Sequence, residues 1–262
     1  MKRKRNNILE GTLPPVEQII KDLADSDQPI LNVRLAELSD LNLRQLKTLR
    51  NIWQGIEVRR RRQIVHRLSE LAEDDVCLSF DSIFKYNLKD EDEEVRVTAI
   101  EALWENEGVS MIEPLINLMN DDSSQKVQAA SALALGRFTL LAERRGISQD
   151  YAARLSRSLL AIYVDCNRVI DVRRRALEAV APLSLPLVEQ AITDAYYDGN
   201  PLLKISAIYA MGKNCNPRWL PILISDFTAK NSEIRYEVAT ACGEIGEQEA
   251  VAYLIKLIDD DD

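Results

Sequence analysis

The sequence predicts an all-α chain built as a solenoid of stacked helix pairs, and three observations predict it. Apolar residues recur at three- and four-residue spacing along most of the chain, while few stretches alternate with period two. Only nine glycines occur in 262 residues, few for tight hairpins or phosphate loops. Finally, "NPLLKISAIYAMGKNC" and "NSEIRYEVATACGEIG" repeat one pattern 31 residues apart, with a cation in the same slot. A period near thirty in a helical chain marks stacked helix pairs, none of which can bury its apolar face alone.

Composition narrows the class further. Hydrophobic residues make up 46% and charged ones 29%, the profile of a folded chain rather than a disordered one. No apolar run reaches the roughly 18 residues of a membrane span. The opening "MKRKRNNILEGTLPP" lacks the apolar core of a signal peptide. Cys77, Cys166, Cys215 and Cys242 stand far apart with no paired spacing, so reduced thiols and a cytoplasmic setting are expected. A net charge of −9 argues against general affinity for nucleic acid or anionic lipid.

In chain order, residues 1–54 lack the repeat and are read as a helical N-terminal cap. "PVEQIIKDLAD" gives an amphipathic helix, "SDLNLRQLKTLRNIW" a second one started by Ser39, and "MKRKR" a solvated tail. Residues 55–262 form the array, about five to six repeats with the last incomplete. A degenerate copy at "RRRQIVHRLSEL" puts Arg61 in the slot, although a shift of one residue is possible. Later copies put Arg96, Lys126, Arg173, Lys204 and Arg235 there, at steps of 35, 30, 47, 31 and 31 residues. The long step carries the insertion "LLAERRGISQDYAARL", which lengthens the connection or the next helix.

Each repeat position has a physical reason. Asp92, Asp122, Asn200 and Asn231 stand four residues before the slot as N-cap acceptors, while the Val169 copy lacks one and starts near Asn167. Alanines after the slot (Ala99, Ala102, Ala129, Ala132, Ala176, Ala179, Ala207, Ala210) let neighbouring helices approach, with Leu103, Leu133, Val180 and Met211 filling the gaps. Gly136, Gly212 and Gly243 suit helix C-termini. A partner helix precedes each copy: "MIEPLINLMN", "LPLVEQAITDAYY", "RWLPILISDF" and "EAVAYLIKLI". The closing "LIKLIDDDD" leaves a pair with only its first member, so a capping helix over 248–258 or further chain past Asp262 is expected, the latter preferred.

These residues, above all "DEEVRVTAIEALW" and "NSEIRYEVATACGEIGEQEAVAYLIKLI", resemble HEAT repeats of the short type named for phycobilisome lyases, bacterial in style. The resemblance covers roughly residues 55–262. It implies a right-handed α-solenoid, an alpha-alpha superhelix, and a structural ladder in which Arg96, Lys126, Arg173, Lys204 and Arg235 bridge to acidic turn residues. Asp90, Asp122, Asp198 and Glu233 are the local acceptors. The family serves many roles, so it implies a class of function only: a protein-binding scaffold.

The residues that rival chemistries need are mostly missing. Deoxyhypusine hydroxylases share the architecture and hold two irons with His-Glu pairs; this chain has one histidine, His66, and no His-Glu dipeptide. No P-loop, G-x-S-x-G or metal-spaced Cys/His cluster occurs, so no cofactor or metal is expected. The cysteines read as small core residues, with Cys166 near Arg168 the one hint of a reactive thiol. A bilin-lyase-like role stays open because its catalytic residues form no compact motif. A nucleic-acid role is the weaker rival: Arg59–Arg62 and Arg173–Arg175 are runs whose side chains diverge by about 100° per residue.

A protein or peptide partner would meet the outward stripe one and five residues after the slot. That stripe reads Arg62 and His66, Val97 and Glu101, Val127 and Ser131, Arg174 and Glu178, Ile205 and Tyr209, Tyr236 and Thr240. Ile205, Tyr209 and Tyr236, flanked by Arg174, are the candidate partner-binding residues, weighed against packing on neighbouring helices.

Overall fold

The computed structural model describes residues 14–258 and 260, and every regular element among them is helical. The basic "MKRKR" lies outside the described residues. The chain divides between residues 105 and 106 into two compact units.

In the first unit, α1 (Val16–Asp22) and α2 (Asn32–Leu35) precede α3 (Leu43–Trp53), α4 (Val58–Asp74), α5 (Asp81–Asn87) and α6 (Glu93–Ala102). Helix α5 packs on α3 and α6 on α4, so alternate helices form two layers. Helix α3 is started not by Ser39 but by Asn42, in a reciprocal capping box with Gln45. Ser39 instead accepts the Ser79 N–H at 2.9 Å.

The second unit holds α7 (Ile112–Asp121), α8 (Gln125–Glu143), α9 (Gln149–Val164), α10 (Ile170–Val180) and α11 (Pro186–Tyr197). It continues with α12 (Pro201–Asn214), α13 (Leu220–Ser225), α14 (Ser232–Ile245) and α15 (Val251–Leu257). Hairpins α7/α8, α9/α10, α11/α12 and α13/α14 stack so that α8, α10, α12 and α14 contact one another in order. The insertion lengthens both helices beside it, α8 to 19 residues and α9 to 16.

The caps follow the sequence where a short polar side chain stands in the right place. Asp92, Asn200 and Asn231 accept first-turn N–H groups of α6, α12 and α14. Asp122 does not cap α8; it accepts the Ser124 N–H in the turn, and Ser124 holds the N-cap position. Helix α10 starts at Ile170 after an uncapped Val169, not near Asn167.

Of the three glycines expected at helix ends, Gly136 and Gly212 have another use. Cys215 and Gly246 take the left-handed conformation that ends α12 and α14. Gly136 lies inside α8, where a Cβ would come within 3.4 Å of the Ala179 Cα. Gly212 lies tighter still, with its Cβ site 2.7 Å from the Ala241 Cα. These glycines are contact points between successive second helices, and the buried alanines extend the same close approach.

Candidate interaction surface

The slot side chains Arg61, Arg96, Gln128 and Arg235 turn inward onto their own connections. Arg96 Nη1 donates to the carbonyls of Asp90 (2.7 Å) and Glu91 (3.0 Å). Arg235 Nη1 donates to Ala229 O at 2.9 Å, also six residues back. In α8 that bond comes from Gln128, whose Nε2 donates to Asp122 O at 2.6 Å. The buried positions of α8 (Val127, Ser131, Ala132, Leu135) match Val95, Ala99, Ile100 and Leu103 of α6. Gln128, not the exposed Lys126, therefore occupies the slot, and the register set from the charge alone was off by two residues. An amide reaches the carbonyl as well as a cation, so a search for charge misses it. Arg168 supplies a guanidinium from the next connection, donating to Gln128 Oε1 and to the carbonyls of Met119 and Asn120.

The slot cations Arg61, Lys204 and Arg235 also reach forward to a later aspartate. Arg61 lies 3.4 Å from Asp90 with both side chains buried, and Trp53 Nε1 donates to the same carboxylate at 2.6 Å. Lys204 lies 3.0 Å from Asp226 and over the Tyr196 ring. Tyr196 donates to Asp226, and its phenol is pushed up to about 12, first by burial and then by that carboxylate. Arg235 embraces Asp260 through two bonds of 2.6 Å. Lys204 and Arg235 thus use Asp226 and Asp260 rather than Asp198 and Glu233. Arg173 donates to Tyr163 O at 2.8 Å and lies over that ring.

The outward stripe is corrected in its middle. Ile205 is 4% exposed and belongs to the core. Val127, Ser131 and Glu178 are buried too; α10 and α12 each pack against a second helix on both sides, and α8 packs against α10. Arg174 is spent internally: its Nε donates to Ser206 Oγ at 2.9 Å, beside Glu178. Glu178 in turn accepts from Ser206 Oγ (2.5 Å) and Arg175 (2.7 Å). Tyr209 is half-buried under Lys213, which pairs with Glu244, and burial pushes its phenol up. Only Tyr236 of the four candidates is a surface residue, 68% exposed.

Tyr236 lines the groove of about 390 Å³ between α14 and α15, with Ser232, Glu233, Arg235, Ala239, Leu257 and Asp260. Beyond it, Val251, Ile255 and Ile258 of the α15 segment are exposed apolar residues. Sequence reasoning missed Glu233, Ala239 and Leu257 as neighbours of Tyr236. Glu233 and Ala239 lie one turn either side of Tyr236 on α14, a spacing the sequence carries, whereas Leu257 comes in only with the approach of α15, which no local pattern signals.

The arginine runs are largely engaged. Arg60 donates to the carbonyls of Leu23 and Gln28, Arg61 is buried, and Arg62 pairs with Asp92 and Glu94. His66 is exposed on α4, and no group of three His, Cys, Asp or Glu among the described residues could hold a metal ion. Of the cysteines, Cys77, Cys166 and Cys215 are exposed, against the expectation of core positions. Cys242 is buried in the slot that Leu103 fills in α6, and burial pushes its thiol up to about 11. Leu133, expected in the core, is 47% exposed for the same two-residue shift that displaces Lys126. No helix among the described residues is long and apolar enough to cross a membrane.

Stacked helical hairpins, most of them folding a polar side chain back onto their connection, define an α-helical repeat protein. The chain belongs to the HEAT-repeat family, which matches residues 81–181 and 185–262. Among curated relatives, deoxyhypusine hydroxylase of Rattus norvegicus is 31% identical over 93 residues, 35% of this chain and 31% of that protein. The match thus spans about a third of the relative's length. Among solved structures, human deoxyhypusine hydroxylase in complex with glycerol is 21% identical, covering 94% of this chain and 90% of that one, with a TM-score of 0.36. The designed armadillo repeat protein YIII(Dq)4CqI is 16% identical, covering 88% and 100%, with a TM-score of 0.40.

Proposed function

We propose that this HEAT-repeat chain is a non-catalytic scaffold that binds a protein or peptide in the cytoplasm, with repeats of the short, phycobilisome-lyase type. The observation that carries the reading is Tyr236 at the α14–α15 groove, an aromatic side chain left mostly exposed. Partly exposed aromatics beside small apolar patches suit protein recognition. The slot side chains act as a structural ladder between the repeats. Arg174 and Ile205 drop out of the binding set, and Tyr209 serves packing.

The test is affinity capture from a lysate on immobilised wild type and on Tyr236→Ser, read by mass spectrometry and absorbance. A protein retained by wild type and lost from the folded variant supports the scaffold. A coloured tetrapyrrole or nucleic acid in the eluate, with no specific protein, moves the assignment to the lyase-like or nucleic-acid rival.

A further inference from the structure

The α14–α15 groove has a chemistry that selects its partner. Between residues 231 and 262 stand nine acidic and two basic residues, a net −7 in a chain whose total is −9. This last segment therefore carries most of the excess negative charge, a field that favours a cationic partner. Within it, Glu233 and Tyr236 lie one turn apart on α14 and both line the groove. Glu233 is exposed, while Arg235 and Asp260 bond to each other beside it. Ala239 and Leu257 supply an apolar floor.

The same molecule shows what a tyrosine and a carboxylate do together. Lys204 lies 3.0 Å from the Asp226 carboxylate, with its ammonium 4.8 Å from the Tyr196 ring centroid. Glu233 and Tyr236 present those two groups toward solvent. A lysine or arginine side chain lying there would rest its methylenes on Leu257 and Ala239, pair with Glu233 and face the Tyr236 ring.

We propose that the groove docks a basic peptide segment of a protein partner, seating one Lys or Arg between Glu233 and Tyr236. This rests on the scaffold reading and names its partner chemistry. The charge of residues 231–262 speeds encounter, and the Glu233–Tyr236 pair fixes the register.

The probe is a fluorescein-labelled decapeptide of alternating Lys and Ala, measured by anisotropy with the full chain; a Gln/Ala decapeptide is the neutral control. The Lys peptide binds, the Gln peptide does not, and affinity falls with added salt. Tyr236→Ser weakens binding about fivefold, the size expected for one cation–π contact. Glu233→Gln weakens it by a similar factor, whereas Glu249→Gln, which removes the same charge outside the groove lining, changes it less than twofold. Unchanged melting temperatures keep these differences from being folding effects. Equal weakening by Glu249→Gln and Glu233→Gln, or no effect of Tyr236→Ser, overturns the site in favour of diffuse charge attraction. A dimer in sedimentation that Tyr236→Ser dissociates, with no peptide bound, overturns it in favour of a second copy. A lysate protein captured equally by wild type and by both groove variants overturns the groove but leaves the scaffold standing.

Discussion

Gly212 and Gly243 occupy the same repeat position 31 residues apart, and their alanine variants should move stability in opposite directions. A Cβ on Gly212 would meet the Ala241 Cα at 2.7 Å, Glu244 Oε2 at 2.9 Å and the Ala241 Cβ at 3.0 Å. The carboxylate can swing away, but the backbone of α14 can yield only by moving off α12. Overpacking of this kind costs about 2 kcal/mol, and the better helix propensity of alanine returns about 1. Gly212→Ala is therefore destabilised by about 1 kcal/mol. At Gly243 nothing lies within 4 Å of the added methyl, so only the propensity gain of about 1 kcal/mol remains. At about 3 °C per kcal/mol for a unit of this size, the two variants should melt about 6 °C apart, on either side of wild type. Thermal unfolding followed by circular dichroism measures this directly. A Gly212→Ala variant as stable as Gly243→Ala would refute the claim that glycine is needed for helix approach.

Three further outcomes follow from the geometry. Asp90→Asn leaves the buried Arg61 without its countercharge and weakens the Trp53 indole bond, so it should lose about 3 kcal/mol and alter tryptophan emission; urea unfolding checks it, and a loss under 1 kcal/mol would count against the pair. Cys77, Cys166 and Cys215 should react with a thiol reagent at pH 8 in the folded protein, and Cys242 only after unfolding, since burial shields it and pushes its thiol up to about 11; four rapid thiols in the native state would refute this. Burial, followed by Glu178, Glu233 and Glu244, holds the Glu237 carboxyl above its usual range. A raised carboxyl gives its full stability below the unfolded value near ~4.3 and loses it as pH rises through the folded one. Glu237→Gln should therefore melt above wild type at pH 7 and level with it at pH 4, and an equal difference at both pH values would sink the assignment.

What the sequence determined by itself is whatever local chemistry repeats. Apolar spacing set the helices, Asp92, Asn200 and Asn231 set three helix starts, and the recurrence of the slot set the stacked-hairpin fold. A short side chain finds its N–H partners within three residues, so those features need no tertiary context. Register in α8 was not legible, because Gln128 does with an amide what arginine does elsewhere and Lys126 nearby offered the expected charge. Exposure was not legible either. Ile205 and Tyr236 hold the same repeat position, yet α12 is covered on both sides and α14 carries an open groove. Which copy of a repeated face meets solvent depends on neighbours tens of residues away. Only the tertiary structure could decide that Leu257 joins Glu233 and Tyr236 on one surface.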